Sequence, residues 1–252
     1  MAIFVTGDTH GRPDRLSSKY FPTQENLTGD DLMIILGDFG LVFDQEEGEM
    51  EKLFLDWLDQ KPFTVLAALG NHENYDRIEI LPVEERFGAP VRVLRPSVFL
   101  LESGYVYNLN GKKAFVFNGA ASHDISDGLL DGNDPDWREK AIAMQEEGKK
   151  YFRVKGISWW PQEVEKDEAV YERGIKNLEA IDYKPDFVFT HCASDRIEEK
   201  LGVSHPSKLT SYFETLEDRL SPETIWLFGH YHIDAVVAAN RICLYEQIVR
   251  ID

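Results

Sequence analysis

Five short apolar runs recur along the chain, and each leads at once into a side chain able to bind a metal ion. A short apolar run closed by glycine or threonine is typical of a buried strand that stops at a turn. The runs are IFVTG before Asp8, LMIILG before Asp38, TVLAALG before Asn71 and His72, FVFT before His191, and IWLFG before His230. The pattern therefore predicts five buried strands with chemically active residues at their carboxyl ends.

The segments between the first three runs favour crossover helices. Residues 50–59 (MEKLFLDWLD) carry apolar side chains at helical spacing. Parallel strands need such crossovers, so the early sheet is expected to be largely parallel. Over residues 91–118 the pattern changes to short β-rich pieces, in which Asn110-Gly111 marks a tight hairpin. A second sheet, mixed or antiparallel, fits this stretch.

The second half of the chain alternates helical and strand-like segments. Residues 131–150 begin with turn formers and become helical, and residues 163–181 predict another helix after a Trp-Trp-Pro sequence. The chain closes on the strand-like pieces TIWLF, DAVVAA and RICLYEQIV. No linker or repeat interrupts it. We expect one α/β domain over residues 1–252, in which two mixed sheets face each other with helices outside.

Length and cysteine content indicate a globular protein in a reducing compartment. The 252 residues, 43% of them hydrophobic, are enough to bury a sizeable core. No apolar run approaches the ~20 residues that a membrane span needs, and no export signal precedes the first run. Two isolated thiols, Cys192 and Cys243, are expected to be reduced and buried. The predicted location is cytoplasmic, without membrane attachment.

The net charge limits the kinds of molecule that the protein is expected to bind. The chain has 45 acidic and 27 basic residues, a formal charge of −18, which should repel a polyanion. Extended nucleic acid is therefore an unlikely partner. A small phosphorylated substrate remains compatible, because bound divalent cations reverse the local sign of a site. The acidic run at residues 44–51 is expected to be a solvated loop and helix start.

Two pairs of metal-binding residues stand two positions apart, Asp8 with His10 and His230 with His232. Residues two apart on a strand point to the same face, so each pair converges on one point if the strand geometry continues. Ligands of α/β sheets gather outside the carboxyl ends of strands, where the five runs place their polar endings. Imidazole nitrogens mixed with carboxylate and amide oxygens suit Mn²⁺, Fe or Zn²⁺ better than Mg²⁺ or Ca²⁺.

Five short motifs follow one another along the chain. They are GDTHG (7–11), GD (37–38), GNHE (70–73), TH (190–191) and GHYH (229–232). In order and spacing they resemble the motifs of the calcineurin-like metallophosphoesterases. Their joint occurrence over residues 7–232 is far more specific than any single motif.

The resemblance implies a four-layer αββα fold and a site for two divalent metal ions, with Mn²⁺ expected first and Fe or Zn²⁺ as alternatives. One ion would be bound by Asp8, His10, Asp38 and His232, and the other by Asp38, Asn71, His191 and His230. Asp38 would bridge the two ions.

The resemblance also implies the catalytic groups. A hydroxide bridging the two metals would be the nucleophile, since metal binding lowers the pKa of water to ~7. His72 would lie beside the metals and either protonate the leaving oxygen or stabilise the transition state. Asp8 would in addition orient His72 or tune a metal-bound histidine.

The substrate contacts are less well defined by the motifs. Protein phosphatases of this family carry an Asp-Arg pair after the second aspartate, whereas this chain reads GDFGLVFD and lacks that phosphate-binding arginine. Arg12 and Arg77 are candidate substitutes, and Asn71 is a further candidate contact. His123, in NGAASHD, either reaches the site or belongs to a turn.

Three other residues are interpreted as structural. Trp159 and Trp160 precede a helix, and core or lid packing is preferred over an aromatic wall for a base or sugar. His205 stands before a proline where a helix is expected to begin, so it is left outside the predicted site.

The predicted function is two-metal hydrolysis of a phosphate monoester or diester on a small or flexible substrate. Two alternatives stay open. One is another phosphate-cleaving enzyme, a nucleotide pyrophosphohydrolase or a nuclease. The other is a metal-binding scaffold of the same fold without turnover. The acidic charge argues against a nuclease, and the presence of His72 argues against a scaffold.

Overall fold

A computed structural model describes residues 1–252, whose strands form two large sheets and one small one. The first sheet contains β1 (Ile3–Thr6), β2 (Leu32–Leu36), β3 (Thr64–Ala68), β4 (Val83–Arg86), β5 (Ala89–Arg95), β6 (Val98–Leu101) and β15 (Val249–Arg250). Its spatial order is β15-β1-β2-β3-β6-β5-β4. The four central strands β1, β2, β3 and β6 are parallel, as expected, and the outer three pair antiparallel.

The second large sheet contains β7 (Tyr105–Leu109), β8 (Lys112–Phe117), β11 (Phe187–Thr190), β12 (Ile225–Phe228), β13 (Ala235–Ala238) and β14 (Arg241–Cys243). Its order is β13-β14-β12-β11-β8-β7, with β8, β11, β12 and β14 parallel. The hairpin predicted at Asn110-Gly111 joins β7 to β8. Both residues have positive φ, 55° and 84°, which a type I′ turn requires.

Six α-helices accompany the strands of the two large sheets. They are α1 (Glu49–Asp59), α2 (Tyr75–Glu79), α3 (Trp137–Glu146), α4 (Glu168–Glu179), α5 (Asp195–Leu201) and α6 (Lys208–Glu217). The predicted helix at residues 50–59 is thus present as α1. None of the helices combines the length and the apolarity needed to span a bilayer.

The core forms three layers of side chains, which confirms the four-layer αββα arrangement. Alternate residues of the buried strands face opposite sides: Ile3 and Val5 point between the two sheets, and Phe4 points outward. The outer face of the first sheet is covered by α1 through Leu55 and Leu58. The outer face of the second sheet is covered by α4 and α6, through residues such as Leu178, Phe213 and Leu216.

One sheet assignment and two element boundaries differ from the sequence prediction. Residues 91–118 do not form one second sheet, because β5 and β6 join the first sheet, where β6 pairs with β3. The helix predicted at 163–181 begins only at Glu168, since Pro161–Glu163 forms a separate 3-10 turn and Asp167 caps α4. The strand predicted from RICLYEQIV divides into β14 and β15, which lie in different sheets.

Between β8 and the Pro161 turn, residues 119–160 form an insertion outside the two large sheets. It contains α3 between two strands, β9 (Gly128–Asp131) and β10 (Phe152–Lys155), which pair in parallel. Trp160 anchors the end of this insertion. Its ring is buried in the side-chain layer on the outer face of the first sheet, and its Nε1 donates to Asp76 Oδ2 at 3.1 Å. The packing interpretation of Trp160 is therefore confirmed.

Candidate metal centre

The ends of five strands bring the predicted ligands together. Strands β1, β2 and β3 are parallel neighbours in the first sheet, as are β11 and β12 in the second, so their carboxyl ends share one edge in each sheet. His191, after β11, lies 3.2 Å from Asp38, after β2 (Nε2 to Oδ1). The backbone N–H of His230, after β12, donates to Asp8 Oδ1, after β1, at 3.1 Å.

The paired residues reach this site by a route other than continued strand geometry. Strand geometry does not continue through the Asp8–His10 and His230–His232 pairs, because β1 ends at Thr6 and β12 at Phe228. Instead, left-handed backbone turns the chain. The non-glycine residues with positive φ at the site are His10 (46°), Asp38 (42°), His230 (69°) and His232 (52°). Such conformations are uncommon outside glycine, and they cluster at functional sites.

The first group of ligand atoms belongs to Asp8, His10, Asp38 and His232, which all lie within 4.8 Å of one another. The two histidine Nε2 atoms are 3.0 Å apart, and His232 Nε2 is 3.3 Å from Asp8 Oδ2. His10 Nδ1 is 3.7 Å from Asp38 Oδ2. Both aspartates are buried and both histidines are exposed, so this group opens toward solvent.

The second group lies deeper, around the other oxygen of Asp38. Its Oδ1 faces His191 Nε2, while the His230 ring lies 4.9 Å from the His191 ring. Asn71 Oδ1 is buried and has no hydrogen-bond partner in the chain, and leaving such an atom unpaired costs about 1–3 kcal/mol. His191 Nε2 is buried with the Asp38 carboxylate beside it. A cation would bind both atoms. The donor set therefore fits a metal ion, and Asp38 offers one oxygen to each group.

Asp38 and His191 in the second group stabilise each other's charged form when no cation is bound. Burial lowers the pKa of His191, but Asp38 and Asp8 outweigh it and raise this pKa to about 9. Burial raises the pKa of Asp38, but His191 outweighs it and holds this pKa far below its usual range. His191 Nδ1 is 2.8 Å from the Leu36 carbonyl, which leaves Nε2 facing Asp38.

His72 lies at the margin of these groups. Its backbone N–H donates to Asp38 Oδ1 at 2.9 Å, and its ring centroid is 5.5 Å from that of His10. The His72 ring makes no hydrogen bond within the chain, so it is free to contact a substrate. Asp8 makes no hydrogen bond to it, and instead accepts from the His230 backbone and contacts His232. Asp8 thus contacts a candidate metal ligand, His232, and does not orient His72.

Two positioning residues could have been anticipated from the motifs. Glu73, the last residue of GNHE, is buried and accepts from the Phe39 and Gly40 N–H groups at 2.7 and 3.3 Å. It therefore fixes the loop that presents Asp38. Gly70 opens the same motif, and a Cβ there would collide with Asp38 and with His191 Nε2. Only hydrogen can occupy that place without displacing a predicted ligand.

Arg15 and Tyr245 support the exposed group, and no sequence pattern pointed to them. Arg15 donates to the Asp8 carbonyl at 2.9 Å and also to the carbonyl of Tyr245. The Tyr245 ring stacks on His232 with centroids 4.7 Å apart. These contacts join residues from the two ends of the chain, so local sequence carries no signal for them.

The residues predicted to contact the substrate differ in whether their side chains are free. The Arg77 guanidinium makes hydrogen bonds to both oxygens of Glu51, at 2.7 and 2.8 Å, so it is already engaged within the protein. Arg12 is exposed. The His123 ring lies 5.5 Å from His230 and stacks on His205 at 5.1 Å. His205, left out on sequence grounds, therefore stands beside the site through His123.

Fold and site together define a class of protein: a two-sheet α/β protein with aspartate, asparagine and histidine side chains gathered at its strand ends in an arrangement that fits divalent metals. The model of the calcineurin-like phosphoesterase family matches residues 1–234, and the chain belongs to this family. Phosphoester hydrolysis is thereby its general class of activity. No curated protein matches the chain.

Proposed function

We propose that this protein is a dinuclear-metal-dependent phosphoesterase acting on a small or flexible phosphorylated molecule. The observation that carries the proposal is the division of Asp38 between two groups of ligands. Its Oδ2 lies 3.7 Å from His10 Nδ1, and its Oδ1 lies 3.2 Å from His191 Nε2. In the second group, the buried amide oxygen of Asn71 has no hydrogen-bond partner, which gives that group a reason to bind a cation.

The ligands we assign follow the two groups. One ion would be held by Asp8, His10, Asp38 and His232, and the other by Asp38, Asn71, His191 and His230. Bound metals of this kind supply Lewis acidity and activate water. Imidazole and oxygen donors are mixed in both groups, which suits Mn²⁺, Fe or Zn²⁺, and Mn²⁺ is the metal we expect first.

The chain supplies orientation and proton transfer around that chemistry. His72 is partly buried beside Asp38 with its ring unpaired, which suits a group that donates a proton to the leaving oxygen. Burial lowers its pKa, whereas Asp38 raises it. Only the protonated ring can donate to the leaving oxygen, so activity should fall as the pH rises above the pKa of His72.

A substrate panel on apoprotein reloaded with Mn²⁺ tests this function. The panel contains phosphomonoesters, phosphodiesters, nucleotides and phosphopeptides, with Asp38→Asn as the matched control. We expect metal-dependent release of an alcohol or phenol from at least one ester, and little from the control. Exclusive cleavage of nucleotide pyrophosphate bonds would favour a pyrophosphohydrolase. Bound metal without turnover on any member would favour a scaffold.

A further inference from the structure

Arg153 stands in the insertion with most of its hydrogen-bonding capacity unused. It lies on β10, with 29% of its side chain exposed, and donates from Nη2 to Asp124 Oδ2. Its Nε and Nη1 groups have no acceptor in the chain. The other carboxylate oxygen of Asp124 is buried without a partner, so Arg153 is the only side chain that Asp124 binds. A guanidinium held at one end leaves N–H donors for a ligand.

The loop before this pair touches the metal centre directly. Asn71 Nδ2 donates to Ser122 Oγ at 3.3 Å, and the next residue, His123, places its ring 5.5 Å from His230. Ser122 is fixed in turn by Glu163, which accepts from its N–H and Oγ at 2.8 and 2.6 Å. Asp124 therefore directly follows a segment fixed at the candidate metal centre. Because Asp124 binds Arg153, the arginine is held on the same side of the molecule.

The free donors of Arg153 distinguish it from two other arginines near the site. Arg15, by contrast, binds Thr6 and the Asp8 and Tyr245 carbonyls, and Arg77 binds Glu51.

We propose that Arg153 binds the phosphate group of the substrate and selects phosphate monoesters over diesters, with Asp124 as its positioning residue. This inference rests on the proposed function. A monoester presents three terminal oxygens, one more than a diester, and carries more negative charge. Parallel N–H donors of a guanidinium match such a group in charge and geometry.

Four variants of the Mn²⁺-loaded protein test the proposal. Arg153→Gln removes the charge, Arg153→Lys keeps it without the planar fork, and Asp124→Asn weakens the support of Arg153. Arg138→Gln, on exposed α3 of the same insertion, is the matched control. Each is assayed for KM and kcat with p-nitrophenyl phosphate and bis-p-nitrophenyl phosphate, and for the Kd of inorganic phosphate by calorimetry. Circular dichroism and metal content verify folding.

Arg153→Gln should raise the monoester KM and the phosphate Kd by about ten- to a hundredfold, since a hydrogen bond to a charged group has that strength. The diester KM of Arg153→Gln should change less than its monoester KM. The monoester KM and phosphate Kd of Arg153→Lys and Asp124→Asn should lie between those of wild type and Arg153→Gln. The values for Arg138→Gln should match wild type. A phosphate Kd in Arg153→Gln and Arg153→Lys within twofold of wild type would overturn the proposal. Wild type that cleaves neither ester would instead count against the proposed function, and the phosphate Kd would still decide the role of Arg153.

Discussion

The Nε2 atoms of His10 and His232 lie 3.0 Å apart although 222 positions separate the two residues. Asp8 raises the pKa of His232 by hydrogen bonding, and burial lowers that of His10. Both nitrogens face one point together with the carboxylates of Asp8 and Asp38, so they are placed to bind one metal ion.

Metal binding should release protons near neutral pH. The pKa of His191 is raised from 6.5 to about 9, so its imidazole is protonated below pH 9 and neutral above it. A histidine must be neutral to bind a metal. Mn²⁺ binding at about pH 7.5 should therefore displace a proton from His191, and apparent affinity should fall as pH decreases below 9.

Calorimetric titration of apoprotein with Mn²⁺ in Tris and in PIPES measures this release, because the two buffers differ in ionisation enthalpy. The His191→Gln variant serves as control and should release fewer protons. Identical heats in both buffers for wild type would show that His191 does not lose a proton on metal binding.

His72→Asn should keep both metal ions and lower turnover by ~10²–10⁴-fold, the usual contribution of a general acid. The loss should be greater for an alkyl phosphate than for p-nitrophenyl phosphate, because an alkoxide needs protonation more than a stable phenolate does. We compare kcat/KM for both esters and measure the metal content of each protein. The comparison separates the loss of a general acid from the loss of a metal ligand. Metal loss in parallel with activity would make His72 a ligand instead.

Gly70→Ala should disturb the metal centre although it substitutes none of the predicted ligands. The added Cβ would collide with the Asp38 backbone and with His191 Nε2, so we expect a destabilisation of about 1–3 kcal/mol and reduced Mn²⁺ content. Gly29→Ala is the control, because nothing lies within 4 Å of its Cβ. Urea unfolding and elemental analysis compare the two. Full metal content in Gly70→Ala would refute this explanation of the glycine.

The strand ends were predictable because apolar runs and polar endings are local features of the chain. The αββα arrangement and the buried free thiols Cys192 and Cys243 are confirmed. The sheet assignment of β5 and β6 was wrong, since local pattern does not reveal which distant strand will be a partner. The single domain, the cytoplasmic location and a small phosphorylated partner stay predictions.

The site beyond the motifs depends on contacts that no short segment encodes. Arg153 follows an ordinary strand pattern in YFRVK, and only the folded insertion brings it to Asp124. His205 was set aside because its local context signals a helix start, and α6 does begin three residues later. Its stacking on His123 arises from tertiary structure alone.

The most direct test of the central claim is a titration of the metal-free protein with Mn²⁺, in which p-nitrophenyl phosphate hydrolysis is measured at each metal ratio. We predict that activity develops fully only as the second equivalent binds, and that Asp38→Asn, which weakens both groups, shows little activity at any ratio. Activity that is complete at one equivalent, or folded wild-type protein that hydrolyses no phosphate ester when saturated with metal, would contradict the account.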